Sequence, residues 1–277
     1  MATISTSWEK RAGAYDMLQW ANHNLYFETL LEELRLTGEE IVLDVGTGTG
    51  KVARCVLPYC RKVVGVDLSM EMLAIAHAHL DLQSGAKLAL QQASIDHLPF
   101  SDGCFDVVVA RMVFHHLNGN LRAGVNECFR VLREGGRIVI GEGVPPNYRL
   151  KEDFIEIFAW KEARHTFLEQ DIMNLLADAG FQRINIRTFF LNGISINNWL
   201  EDAGLPEEHV EKILELHRNA SPYFKKAYRL EEVNGEILID MKQAIVVAEK
   251  YWQPTPYILT ASRSARQSHL KTRPIHA

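Results

Sequence analysis

Leu43-Asp44-Val45-Gly46-Thr47-Gly48-Thr49-Gly50 sets the tightest limit on how this chain can fold. It closes an apolar, β-branched run, Ile41-Val-Leu-Asp-Val45, and leads directly into a helical segment. Glycines on alternate positions let the backbone turn sharply and approach a ligand, and the helix N-terminus beyond them presents N–H groups and a positive dipole end. Such a junction favours an anion, either a pyrophosphate or a carboxylate. The alternative is a bare tight turn.

The surrounding pattern repeats this unit. From about residue 40 to 190, short β-branched runs alternate with longer helical stretches. Val63–Val66, Leu88–Leu90, Asp106–Val109, Arg137–Ile140 and Phe181–Phe190 read as strands two to six, and Gln243–Ala248 reads as the last. Ser69 is placed to cap a helix whose apolar stripe is Met70, Leu73, Ala74 and Leu80. Gly135-Gly136 is expected to stop the helix before strand five, and a helix over Glu169–Ala179 is expected to end at Gly180. Continuous apolar strands alternating with helices imply an α/β fold: a doubly wound, mostly parallel, seven-stranded sheet covered on both faces. Outside it lie a helical arm at residues 1–38 and a helical insertion at 193–235, before the last strand of a domain spanning 39–250. A basic tail follows at 251–277, with Arg263, Arg266, Lys271 and Arg273 and no acid, and it is read as mobile.

Composition narrows the function. The 277 residues carry 30 Lys+Arg against 35 Asp+Glu, a formal charge of −5 that argues against a nucleic-acid coat. Four cysteines with no Cys-x-x-Cys make no disulfide framework, and no grouping of His, Asp and Cys suggests a metal. No apolar run approaches the ~20 residues that cross a bilayer, and the first residues lack a signal-peptide core. A cytoplasmic location with reduced thiols is expected.

Asp67 strengthens the glycine loop. It lies 17 residues after Gly50 at the end of strand two, where a carboxylate accepts both hydroxyls of a ribose. The other reading has Asp67 capping the next helix. A dinucleotide loop is expected as G-x-G-x-x-G, whereas this one is Gly46-x-Gly48-x-Gly50 preceded by Asp44. In that form it resembles motif I of the class I S-adenosylmethionine-dependent methyltransferases. Val63-Val-Gly-Val-Asp67-Leu-Ser69-x-x-Met72-Leu73 resembles the second motif of that family. Leu98-Pro-Phe100 with Phe105-Asp106, and Glu127-x-x-Arg130 running to Gly135-Gly136 and Ile140, resemble two more, in the same order. The nearest branch contains the ubiquinone and menaquinone biosynthesis methyltransferases, and the 193–235 block makes this chain a relative of that branch.

The resemblance implies S-adenosylmethionine as cofactor, with S-adenosylhomocysteine as product. The loop residues Gly46, Thr47, Gly48 and Gly50 suit its carboxylate, Asp44 its ammonium, and Asp67 its ribose, with Leu68 and Arg111 completing the set. The family places an Asp on the adenine before its L-P-F segment. Here Ser94 stands at that position, so Ser94 with Ile95, or else Asp96, is expected there. Tyr15, in a Tyr15-Asp16 pair like one the family places over the cofactor, is a further contact.

For the acceptor, His115 and His116 after strand four and Glu142 after strand five are the catalytic candidates. Packing is the alternative for each histidine, and a solvated or helix-capping acid for Glu142. Arg164-His165, with Phe154, Phe158 and Trp160, lines an aromatic pocket or forms an amphipathic helix. Pro145-Pro146-Asn147-Tyr148 is out of order for the N/D-P-P-Y/F motif of base-amine methyltransferases, so the expected partner is a small-molecule acceptor, on an oxygen, nitrogen or activated carbon. The rivals are a cofactor-binding protein without transfer and, disfavoured by the glycine spacing, a nicotinamide oxidoreductase.

Overall fold

A computed structural model of the chain describes Gly13 and residues 16–84, 87–117, 119–201 and 203–251. Tyr15 and nearly all of the 251–277 tail therefore lie outside the described residues.

Five strands, β1 (Ile41–Val45), β2 (Lys62–Asp67), β3 (Leu88–Gln92), β4 (Phe105–Arg111) and β5 (Leu132–Gly143), pair in parallel. β6 (Gln182–Ser195) and β8 (Glu236–Glu249) extend the sheet, with β8 antiparallel to both β5 and β6. The order is β3-β2-β1-β4-β5-β8-β6. An eighth strand, β7 (Glu231–Val233), pairs with β8 beside this path and corrects the expected count of seven. It lies in the segment read as helical. Asn234 and Gly235, at φ 52° and 87°, close the β7–β8 hairpin in the two-residue turn that such a tight reversal needs.

The central strands β1, β2 and β4, with the C-terminal halves of β5 and β8, are buried on both faces, as their apolar runs require, while β3, β6 and β7 are mostly half-buried or exposed. One face is covered by α1 (Asn24–Leu34), α2 (Lys51–Val56), α5 (Lys151–Ala159) and the insertion helices α7 (Ile196–Leu200), α8 (Glu207–Arg218) and α9 (Pro222–Ala227). Against the other lie α4 (Leu121–Val131) and α6 (Glu169–Asp178). The described part of the arm belongs to the first of these cores. Tyr26, Leu30 and Leu34 of α1 are buried in it, and Gly141 of β5 leaves the notch that the Tyr26 ring fills, since a Cβ there would overlap it.

Two local readings change. α4 ends at Val131, four residues before the Gly135-Gly136 pair that was to stop it. Those glycines instead form a bulge in β5, where pairing with β4 jumps from Phe105↔Leu132 to Val107↔Arg137. Gly135 sits at φ 73°, and a Cβ on Gly136 would lie 2.8 Å from the Arg133 carbonyl. In α3 (Met70–Ser84), Met72, Leu73 and Ala76 face the core while Met70 and Ala74 are exposed. Ser69 does cap this helix, its hydroxyl accepting the Met72 N–H at 3.2 Å.

Candidate active site

The loop after β1 turns on three glycines in the left-handed region, Gly46, Gly48 and Gly50, at φ 66°, 55° and 81°. Only glycine adopts such a sequence without strain. Two carboxylates hold it. Asp44 is fully buried, and its Oδ2 accepts the Thr47 hydroxyl at 2.6 Å and the Ala53 N–H at 3.1 Å. Burial pushes its carboxyl up to about 7. Asp67 accepts the Gly48 N–H at 2.9 Å on Oδ2 and the Ser69 N–H at 2.9 Å on Oδ1, and burial raises it as well. The Leu68 backbone N–H also bonds to this carboxylate, which still keeps acceptor capacity beyond these backbone bonds. The arm reaches the loop too: Asp16 Oδ1 accepts the Thr49 hydroxyl at 2.7 Å and lies 3.2 Å from Lys51 Nζ.

A cavity opens above this loop. Gly46, Thr47, Gly48, Asp67, Leu68, Ile95 and Arg111 of the expected cofactor set line it. Asp44 and Gly50 do not; they shape the loop from behind. Ser94 does not line it either. Its hydroxyl is bonded to Asp96, which also accepts from Asn120, so Ala93 and Ile95 wall that part of the cavity and neither Ser94 nor Asp96 lines it. Met72 of the second motif lines the cavity too, and so do Lys51, Met112 and Leu117, which belong to none of the quoted motifs.

These residues fit S-adenosylmethionine. Asp67 offers acceptors for a diol, Leu68, Met72 and Ile95 offer apolar surface, and the carboxylate end finds a cation. Arg111 is 7% exposed and held by rings, 4.6 Å over Tyr26 and 5.1 Å over Phe27. Its Nη2 donates to the Ala21 carbonyl at 3.3 Å, but its Nε is buried with no hydrogen-bond partner among the described residues. A bound carboxylate would satisfy it.

A second cavity lies against the first. Its walls are aromatic: Phe154 and Phe158 from α5, Trp20 from the arm, Trp199 from α7, and Tyr228. Glu162 and Arg164, after α5, add charge. Thus Phe154, Phe158 and Arg164 line a pocket, one of the two roles open to that segment, and the insertion supplies part of the wall. Trp160 instead packs against His209 at 5.2 Å.

Met112 and His116 line both cavities. Met112 sits at φ 57°, a strained position for a non-glycine residue, its N–H bonded to the Gly141 carbonyl at 2.8 Å. His116 packs on His115 with ring centroids 3.8 Å apart. Burial first, then His115, pushes its imidazole down to about 3, so it is neutral at pH 7 and offers a lone pair. His115 Nδ1 lies 2.6 Å from Glu142 Oε2, and its backbone N–H donates to Oε1 at 3.3 Å. Glu142 is neither solvated nor a helix cap. It is fully buried behind His115, and burial raises it to about 7.

His115, His116 and Glu162 bring ligand-type atoms within 4.8 Å of one another, a grouping that no spacing along the chain suggests. Lys161 Nζ and Arg164 Nη1 stand 3.5 and 3.7 Å from the Glu162 carboxylate, so two cations already face it. Burial would raise this carboxyl, but Lys161, the histidines and Arg164 outweigh burial and hold it below its usual range. A divalent ion would be repelled by both cations.

The sheet order and the loop-plus-acid cavity define a Rossmann-like methyltransferase fold. Residues 43–140 match the family model described as a methyltransferase domain. Over 227 residues the chain is 25% identical to an uncharacterized methyltransferase, YcgJ, of Bacillus subtilis, covering 79% of this chain and 87% of that one. The crystal structure of that protein superposes with a TM-score of 0.75 at 22% identity, over 83% of this chain and all (100%) of the other. A ubiquinone/menaquinone biosynthesis C-methyltransferase of Geobacter sp. is 30% identical over 47% of this chain and 57% of its own length. A Haemonchus contortus phosphoethanolamine N-methyltransferase, solved with S-adenosylhomocysteine, superposes with a TM-score of 0.66 at 17% identity, covering 91% of this chain and 61% of that one. Residues 43–140 are thus similar to a methyltransferase domain, and the chain shares the fold of the solved methyltransferases it superposes on. It spans about half the length of the quinone methyltransferase relative. Among the described residues no helix is long and apolar enough to cross a membrane.

Proposed function

We propose that the first cavity holds S-adenosylmethionine and the second a small acceptor with an aromatic or quinone-like body, methylated on an oxygen, nitrogen or activated carbon. One observation carries this reading: Met112 and His116 form a wall common to both cavities, so a group in one lies against a group in the other. Bound S-adenosylmethionine supplies an electrophilic methyl group.

The residues of this chain then have separate tasks. Asp67 and Arg111 bind and orient the cofactor. Neutral His116 accepts a hydrogen bond from the acceptor's O–H or N–H and turns its lone pair toward the methyl. It is too weak a base to keep a proton, so the proton displaced by the methyl group goes on to solvent as product leaves, and alignment is the main contribution of His116. Glu142 fixes the ring of His115, on which His116 rests. The aromatic walls from the arm, α5 and the insertion exclude water. The acidic overall charge and the enclosed wall favour a metabolite over a nucleic acid, and the free thiols suit a cytoplasmic setting.

Methyl transfer to a metabolite panel, read by mass spectrometry, tests the reading. An acceptor should turn over with wild type, and His116→Ala should lower kcat by about 10²-fold, far more than it lowers affinity for S-adenosylhomocysteine. Tight cofactor binding with no acceptor turned over would favour binding without transfer.

A further inference from the structure

Arg164 has more binding capacity than the fold uses. Its side chain is 3% exposed, lies 4.3 Å over the Phe158 ring and 5.7 Å over Phe154, and lines the second cavity. Its Nε reaches the His165 carbonyl only at 3.4 Å. Its Nη1 is 3.7 Å from Glu162, beyond a hydrogen bond, and its Nη2 has no hydrogen-bond partner among the described residues. A buried guanidinium with an unmade bond keeps its full desolvation cost until an acceptor arrives.

The surrounding charges leave that acceptor to come from outside. Glu162 faces Lys161 as well as Arg164, so one carboxylate answers two cations. Lys242 is held by Glu169 and by the Pro146 carbonyl. Glu142 attracts Arg164 across the site but spends the hydrogen bonds of both its oxygens on His115, and Glu201 is exposed to solvent. The Arg164 Nη2 is therefore left with an unmade hydrogen bond beside an aromatic wall.

We propose that the acceptor carries a carboxylate that pairs with Arg164, its apolar body lying on Phe158 and Trp199 and its reactive atom facing His116. This rests on the methyl-transfer reading for the role of His116. The carboxylate is the anchor and not the methylated atom, because a bond to guanidinium draws density from its oxygens. A phosphate monoester is disfavoured: its second charge would meet Glu162 at the same guanidinium.

Matched pairs test the class: 4-hydroxybenzoate against 4-hydroxybenzamide, salicylate against salicylamide, indole-3-acetate against indole-3-acetamide, and phosphoethanolamine as the phosphate arm. Binding is measured calorimetrically with and without S-adenosylhomocysteine. At least one acid should bind tenfold or more tighter than its amide. Arg164→Gln should abolish that preference with S-adenosylhomocysteine affinity kept within twofold, and Arg164→Lys should retain part of it. If no acid outbinds its amide, if Arg164→Gln keeps the preference, or if phosphoethanolamine binds tightest, the proposal is overturned. Should Arg164→Gln fail to fold, the wild-type pairs and Arg164→Lys still decide. Failure of S-adenosylhomocysteine to bind would strike the methyl-transfer reading alone, since the acid–amide contrast is also read without it.

Discussion

The first cavity is shaped by backbone, the second by side chains. The first rests on three left-handed glycines and on carboxylates that bond to N–H groups of neighbouring turns, all at the C-terminal ends of β1 and β2. The second is a convergence of rings from the arm, α5, α7 and the chain after α9, residues from Trp20 to Tyr228. A backbone-built site tolerates little change, because each φ angle and each N–H is used. A site walled by rings can change one of them and remain a cavity. The second cavity is therefore the more adjustable half of this molecule.

Gly46→Ala should have the largest effect and strike only the first cavity. The added Cβ would overlap the Val113 side chain, in a left-handed backbone that itself disfavours alanine by about 1–2 kcal/mol. A lower melting temperature and loss of measurable S-adenosylhomocysteine binding are expected, both readable in one thermal titration. Retained affinity would mean that the loop does not need its present shape. Next comes a crossed pair. Asp67→Ala should weaken S-adenosylhomocysteine by about 1.5–3 kcal/mol with little change in acceptor KM at saturating cofactor. Phe158→Ala should raise acceptor KM and leave cofactor affinity alone. If Phe158→Ala weakens cofactor as much as Asp67→Ala does, the two cavities are one site and the comparison fails.

The smallest effect is in pH dependence. Burial raises the Asp44 carboxyl from its usual 3.8 to about 7, so the folded chain holds this proton longer than the unfolded one. Its penalty is absent below pH ~4, grows as pH rises, and is complete above about 7. In Asp44→Asn, the side-chain amide oxygen can accept both bonds that Asp44 Oδ2 accepts, without the charge. That variant should therefore gain stability over wild type between pH 5 and 8, in melting curves across that range. The flattening should be partial, because Glu142 is raised in the same direction.

The same contrast explains what is legible in the sequence. The strands, the glycine loop and Asp67 are local patterns, and the structure places them together. Adjacency to the loop assigns Asp44 to the ligand, but a buried carboxylate with two donors at hand becomes the loop's support. Alignment with an Asp assigns Ser94 to the adenine, yet its hydroxyl finds Asp96 two residues on. Met112 carries no sign of its left-handed backbone, which follows from its bond to the Gly141 carbonyl. Glu162, Trp199 and Tyr228 meet only through tertiary packing, and no spacing along the chain encodes that. β7 is hidden by its length of three residues, although Asn234-Gly235 is a turn signal in plain view.

Residues 16–27 join both halves. Asp16 bonds to the loop, Trp20 walls the second cavity, and Tyr26 fills the notch at Gly141 beneath Arg111. For anyone repurposing this scaffold, the arm is no interchangeable cassette. Grafting a foreign arm to broaden the range of molecules it modifies would also retune its grip on the donor, so variation is better concentrated in α5 and the insertion.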